Sequence, residues 1–163
     1  MHGIYVLLLD IDDVCIRVGS LGSIDFDGIY AYVGSALNSL DARVSRHLRR
    51  DKRKHWHIDY LTSNDRVNIR YVLCAEIDKS KKDDDGIDGI DGIDGQWGKR
   101  RYECIISRGI AEKGSSIERF GSSDCKCASH LHLLGYDVYK AVEVVKEVFM
   151  AYSILTTRFY KTV

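Results

Sequence analysis

The sequence predicts an α+β domain, a small mixed or antiparallel sheet with helices packed on its faces. Three observations predict it. β-prone apolar runs recur at 3–10, 29–33 and 67–77; glycine and serine clusters separate the first of them as turns; and 39–52 and 137–157 carry apolar residues at helical spacing instead. With 163 residues and 45% hydrophobic content, 1–163 suits a single domain with a real core.

Residues 3–10 form an apolar run without alternation, which reads as a strand buried on both faces. Val14, Ile16 and Val18 then alternate, 19–22 supply a loose turn and Ile24 and Phe26 follow, so 12–27 reads as a hairpin. Residues 29–33 are a further strand ending at Gly34. Asn38 offers an N-cap, with Asp41 in the first turn where negative charge suits the helix dipole. Leu37, Leu40, Val44 and Leu48 make one stripe of a helix over 39–52, whose other faces carry Arg43, Arg46, His47, Arg49 and Arg50. "WHIDYL" (56–61) and 67–77 read as strands.

The stretch 76–100 is acidic and glycine-rich, with Gly-Ile-Asp three times in tandem, and reads as a surface loop. Calcium binding is its alternative, although the unit is shorter than a β-roll repeat. A modest helix follows over 102–113. A stronger C-terminal helix spans 137–157, with Val138, Ala141, Val142, Val145, Val148, Phe149 and Tyr152 facing inward as core cover or a dimer contact.

Formal net charge is zero, but its distribution is not even. Between Arg43 and His57 seven basic residues stand against Asp51 alone, whereas between Glu76 and Asp94 eight acids face three lysines. The sum therefore conceals a cationic region able to attract phosphates. No apolar run approaches the ~18–20 residues needed to span a bilayer. The start has neither a basic n-region nor a cleavage site, and five cysteines suit free thiols better than a disulfide framework. A cytoplasmic protein without a membrane partner is expected.

Gly3-Ile4-Tyr5 on a first strand, Tyr32-Val33-Gly34 on a later one and an arginine on the next helix resemble the GIY-YIG nuclease superfamily. The triplet Gly28-Ile29-Tyr30 is a decoy, because Tyr30 and Tyr32 share one strand. "YAYVGSA", "RHLR", "HWHIDYL", "YEC" and "FGSSDCKCASHL" are similar to the small stand-alone archaeal branch that is also appended to some endonuclease III-like proteins. The resemblance covers 3 to about 133, with the hairpin 12–27 inserted and the C-terminal helix extra. It implies a GIY-YIG-like fold and a metal-dependent endonuclease, with DNA the expected substrate. Tyr5 and Tyr32 would be the paired tyrosines that position or deprotonate the attacking water. Arg43 would steady the scissile phosphate beside His47, and Glu103 would hold Mg²⁺ or Mn²⁺. Two departures stand out: Ser35 occupies a place often held by lysine, and Ser115 and Ser116 stand where an asparagine is common.

Elementary chemistry supports the same set. Positions 43 and 47 are i and i+4 and share a helix face. A guanidinium there can fork onto two phosphate oxygens, and an imidazole beside it can relay a proton. One carboxylate plus water and substrate oxygens makes an ordinary magnesium site. Glu112, Glu118 and Asp124 are also candidate carboxylates, and Asp59 is placed to pair with the basic helix. Arg46, Arg49, Arg50, Lys52, Arg53 and Lys54 would track the nucleic-acid backbone without reading bases.

Cys125, Cys127, His130 and His132 spell C-x-C-x₂-H-x-H, a set of soft ligands suited to zinc. Eight residues make a strained tetrahedral site, so the expectation is a shaped loop with His130 near the substrate, and zinc its alternative. The rival to catalysis is a non-cutting nucleic-acid-binding protein on the same scaffold. A protein-interaction subunit, docked through the acidic stretch and the C-terminal helix, is a third view.

Overall fold

The computed structural model describes residues 2–77 and 97–162. The long apolar run and its answering partner become β1 (Gly3–Arg17) and β2 (Ser23–Ala36), a hairpin joined by a 3-10 turn at Gly19–Leu21. β3 (Val67–Glu76) flanks β1, β5 (Leu131–Leu133) flanks β2, and β4 (Ser115–Ser116) and β6 (Arg158–Lys161) lie outermost. The sheet is six-stranded, in the order β4-β5-β2-β1-β3-β6, with every pair antiparallel. Helices α1 (Leu40–Leu48), α2 (His57–Thr62), α3 (Trp97–Ala111) and α4 (Val138–Ala151) complete the expected α+β architecture.

Side chains alternate across a strand, so β1 feeds two cores at once. Tyr5, Leu7, Leu9 and Ile11 face Leu40 and Val44 of α1, Ile58 and Leu61 of α2, and Phe120. Ile4, Val6 and Leu8 face Ile106 and Ile110 of α3 and the apolar stripe of α4. This is the physical meaning of an apolar run without alternation. The hairpin over 12–27 is the far end of the same β1–β2 ladder, past an irregularity between Ile11 and Val14 where Asp13 has φ 23°.

Several elements differ from expectation. Residues 56–61 are helical, not extended. The Asp59 carboxylate accepts the backbone N–H of His55 and Trp56, which closes the first turn, and Ile58 and Leu61 share its buried face. α1 is capped by Ser39, whose hydroxyl accepts from the Ala42 N–H at 3.1 Å, rather than by Asn38. It stops at Leu48 instead of 52 because Lys52 folds back to donate to the carbonyls of Arg46 and His47. α3 begins at Trp97, so 97–100 are helix, while 78–96, with the Gly-Ile-Asp repeat and the calcium alternative, lie outside the described residues.

α4 is capped by Asp137 and covers the sheet with Ala141, Val142, Val145, Val148 and Phe149. It ends before 157, and Tyr152, expected inside, is 40% exposed. The chain then turns at Ser153 (φ 55°) and returns as β6 against β3. Among the described residues no helix is long and apolar enough to cross a membrane.

Candidate active site and its cysteine–histidine neighbour

The β1–β2 register sets Tyr5 opposite Gly34. A Cβ on Gly34 would overlap the Tyr5 phenol oxygen, so the glycine of Tyr-Val-Gly is the space the first tyrosine occupies. Through that space the Tyr5 hydroxyl meets His47 Nε2 of α1 at 2.8 Å. Tyr32, two residues before Gly34 on the same face, presents its ring edge-on to His47 at 6.3 Å and to Phe120 at 6.2 Å. Gly121 (φ 67°) lies against Tyr32 and donates its N–H to His57 Nδ1 at 3.0 Å.

Both phenols are nearly buried, at 3% and 7% exposed. Burial pushes each well above the usual tyrosine range; Glu103 raises both further, and the Arg43 guanidinium pulls both back. Burial, then the neighbouring Lys52 cation, lowers His47 to about 3, so this imidazole is neutral near pH 7. Its Nδ1 has no hydrogen-bond partner. A buried bare lone pair is tolerated better than an orphaned N–H, which favours Nε2–H donating to Tyr5 and leaves the phenol proton available to a ligand.

The basic stretch divides. The Arg46 guanidinium grips solvent-inaccessible Asp59 with bonds of 2.6 and 2.9 Å and also reaches the Arg53 carbonyl. Burial would raise the Asp59 carboxyl, but Arg46 and two backbone N–H groups hold it at about 2. Arg50 donates to the carbonyls of Asn64 and Val67, and Lys52 to the end of α1. Arg46, Arg50 and Lys52 are thus engaged within the fold, although the Arg50 side chain stays exposed. Arg49, Arg53 and Lys54 are exposed. Arg43 and Arg46 both lie over the Trp56 indole, at 4.4 and 4.3 Å from its centroid.

Glu103 stands at the other side of β2. Ser35 donates to its Oε2, and His130 Nδ1 meets its Oε1 at 2.9 Å. His132 bonds Ser107 through Nε2 and Ser116 through Nδ1, each at 2.8 Å. The two pairings keep step because the four helical residues from Glu103 to Ser107 advance about 6 Å and two extended residues about 6.6 Å. His132 therefore has both nitrogens occupied, and it drops out of the zinc alternative of Cys125, Cys127, His130 and His132. Instead Cys104, the residue after Glu103, joins Cys125, Cys127 and His130, with all four ligand atoms within 4.8 Å of one another. The clue was the "YEC" block itself, since its cysteine adjoins the candidate carboxylate.

Tyr5, Tyr32, Arg43 and His47 thus share one face, and Glu103 lies at its border, near enough to act on both phenols. The model of a family described as Domain of unknown function DUF123 matches residues 4–83 and 92–153. The chain belongs to this family. No curated protein and no solved structure matches it. The DUF123 match takes in every candidate site residue and all of α4. The match breaks over 84–91, which takes in the first two Gly-Ile-Asp units.

Proposed function

We propose that the protein is a metal-dependent endonuclease that hydrolyses nucleic-acid phosphodiester bonds, with DNA as its expected substrate. One observation carries this reading. Tyr5 is hydrogen-bonded to His47, with Tyr32 packed against the same imidazole and Arg43 and Glu103 in electrostatic reach of both phenols. Those five residues come from β1, β2, α1 and α3, and they are the set that the resemblance to GIY-YIG nucleases singles out.

In this reading Arg43 forks onto two phosphate oxygens, its guanidinium supported by Trp56. Tyr5 and Tyr32 remain protonated near neutral pH, so they orient the phosphate and the attacking water rather than take a proton. His47 is buried and acts through Tyr5 as a positioning residue. Arg49, Arg53 and Lys54 follow the backbone. Glu103 fits a hard divalent ion, because each oxygen engages one donor and keeps a lone pair. Magnesium or manganese bound there supplies electrophilic stabilisation of charge on the phosphate. The same reading keeps the protein in the cytoplasm, where thiols stay reduced.

A specific observation favours a second reading, nucleic-acid binding without cleavage. Both Glu103 oxygens are already engaged, and no strong base stands in the site. Incubating the purified chain with single-stranded, duplex and branched DNA, with and without Mg²⁺ or Mn²⁺, separates the two. Metal-stimulated product that disappears in Arg43→Ala supports the nuclease. Binding without product on any substrate supports the second reading.

A further inference from the structure

The loop from Arg119 to His130 raises a problem of stability. Phe120 is its one large apolar residue, and the rest is Arg, Gly, Ser, Asp, Lys, Ala, Cys and His. Its ends are drawn together by bonds from the Arg119 N–H to the Ala128 carbonyl and from the His130 N–H to the Phe120 carbonyl. Nothing so polar orders itself by burial alone. Yet its inner end carries Cys125, Cys127 and His130 to a common point opposite Cys104 on α3.

We propose that Cys104, Cys125, Cys127 and His130 bind a structural zinc ion that rivets the 119–130 loop to α3 and thereby fixes Glu103. Three features of the geometry argue for it. First, Cys125 Sγ and His130 Nε2 are 3.4 Å apart, and a tetrahedron with Zn–S about 2.3 Å and Zn–N about 2.0–2.1 Å has an S···N edge of about 3.5 Å. Second, His130 turns Nε2 to the thiols while Nδ1 meets the Glu103 carboxylate at 2.9 Å. That is how metal-ligating imidazoles are usually oriented, with a carboxylate on the far nitrogen. Third, the donors are three sulfurs and one nitrogen, a soft set that suits zinc and not magnesium.

Four protein ligands close the coordination shell, so the ion holds structure and leaves no position for water. Cys15 and Cys74 lie elsewhere, on β1 and β3. The zinc site also accounts for the adjacency of Glu103 and Cys104: one is tied to the ion directly, the other through His130. The consequence for the nuclease reading is positional, but the site stands independently of it.

The test uses the full chain, purified with reductant and without chelator. Metal analysis and native mass spectrometry are expected to find one zinc per chain, retained in Arg43→Ala and Cys15→Ser and lost in Cys104→Ser and Cys127→Ser. Glu103→Gln, which keeps the ligands, is expected to weaken zinc about 10–100-fold. Metal-free wild-type chain titrated with Co²⁺ alone should develop thiolate charge-transfer absorption and the intense visible bands of a tetrahedral ion, saturating at one equivalent. Folded wild-type chain that retains no zinc and gives no cobalt bands overturns the proposal. So does a disulfide linking two of these three cysteines in the folded chain. None of these readouts needs cleavage of DNA, so failure of the nuclease reading leaves this result standing, and the reverse.

Discussion

His47 packs against Tyr32, and His130 and Tyr32 both lie against Gly121; the two histidines are buried alike, at 1% and 2% exposed, yet their surroundings drive them in opposite directions. For His47 burial wins, a nearby lysine cation adds to it, and the ring stays neutral. For His130 burial pulls the same way, but the hydrogen bond and charge of Glu103 outweigh it and raise the imidazole. The difference teaches that burial among cations silences a histidine, and a carboxylate at hydrogen-bond distance restores its affinity for a proton. Two adjacent residues of β2 divide these territories. Gly34 faces the phenols and leaves room for Tyr5, while Ser35 points to Glu103. The first territory holds hydroxyls in place, and the second concentrates charge.

Glu103 is the group that both territories feel, so changing it should produce the largest effect. Glu103→Gln is expected to lower metal-stimulated cleavage by about a hundredfold or more, with DNA affinity at fixed salt nearly unchanged. Equal loss of binding and cleavage would assign Glu103 to shape rather than chemistry. Gly34→Ala attacks the border itself. The added methyl collides with the Tyr5 oxygen and is expected to destabilise the fold by about 1–3 kcal/mol, as overpacked cores do. A chemical-denaturation midpoint equal to that of the wild type would show that Tyr5 can leave His47 freely.

The pH dependence of stability sharpens the contrast further. His47 stays neutral in the fold down to about pH 3, but an unfolded histidine takes up a proton below about 6.5. The unfolded state binds more protons in that window, so stability falls as pH drops through it, by at most about 1.4 kcal/mol per unit. Asp59 acts lower. Its carboxyl is held at about 2 in the fold, so its contribution is intact above about pH 4 and lost as pH falls towards 2. His132, lowered by burial to about 4, titrates in the same window, so His47→Asn should reduce the slope of the denaturation midpoint between pH 6 and 4 and leave the lower step in place. An unaltered slope there would mean that His47 is not the group that titrates.

Much of this architecture was legible in the chain, and the failures have physical causes. Ile4 to Leu9 announce a strand buried on both faces because no polar residue interrupts them. Arg43 and His47 announce one helix face by their spacing, and Tyr5 and Tyr32 were placed by their glycine-bearing motifs. "WHIDYL" misled because six residues satisfy period two through Trp56, Ile58 and Tyr60 and helical spacing through Ile58 and Leu61. The deciding feature is the Asp59 carboxylate, which closes onto the N–H groups of His55 and Trp56 and is held by Arg46 from α1. β4, β5 and β6 are too short to show a period. Cys104 escaped the cysteine–histidine group because its link to Cys125 runs through space from a helix, where no sequence spacing records it.

The basic stretch gives the smallest effect and the finest discrimination. A run of cations reads as a solvated face, yet Arg46 turns to buried Asp59 and Lys52 to the carbonyls that end α1, while Arg53 stays exposed. Arg53→Ala is therefore expected to leave the denaturation midpoint unchanged, weaken DNA binding a few-fold and reduce the salt slope by about one unit. Lys52→Ala should do the reverse, lowering stability while the salt slope stays near its original value. Identical salt slopes for the two variants would erase the distinction between inward and outward cations. Counterion release counts only charges that meet phosphate, so the two slopes report directly which residues of 43–54 face a nucleic acid.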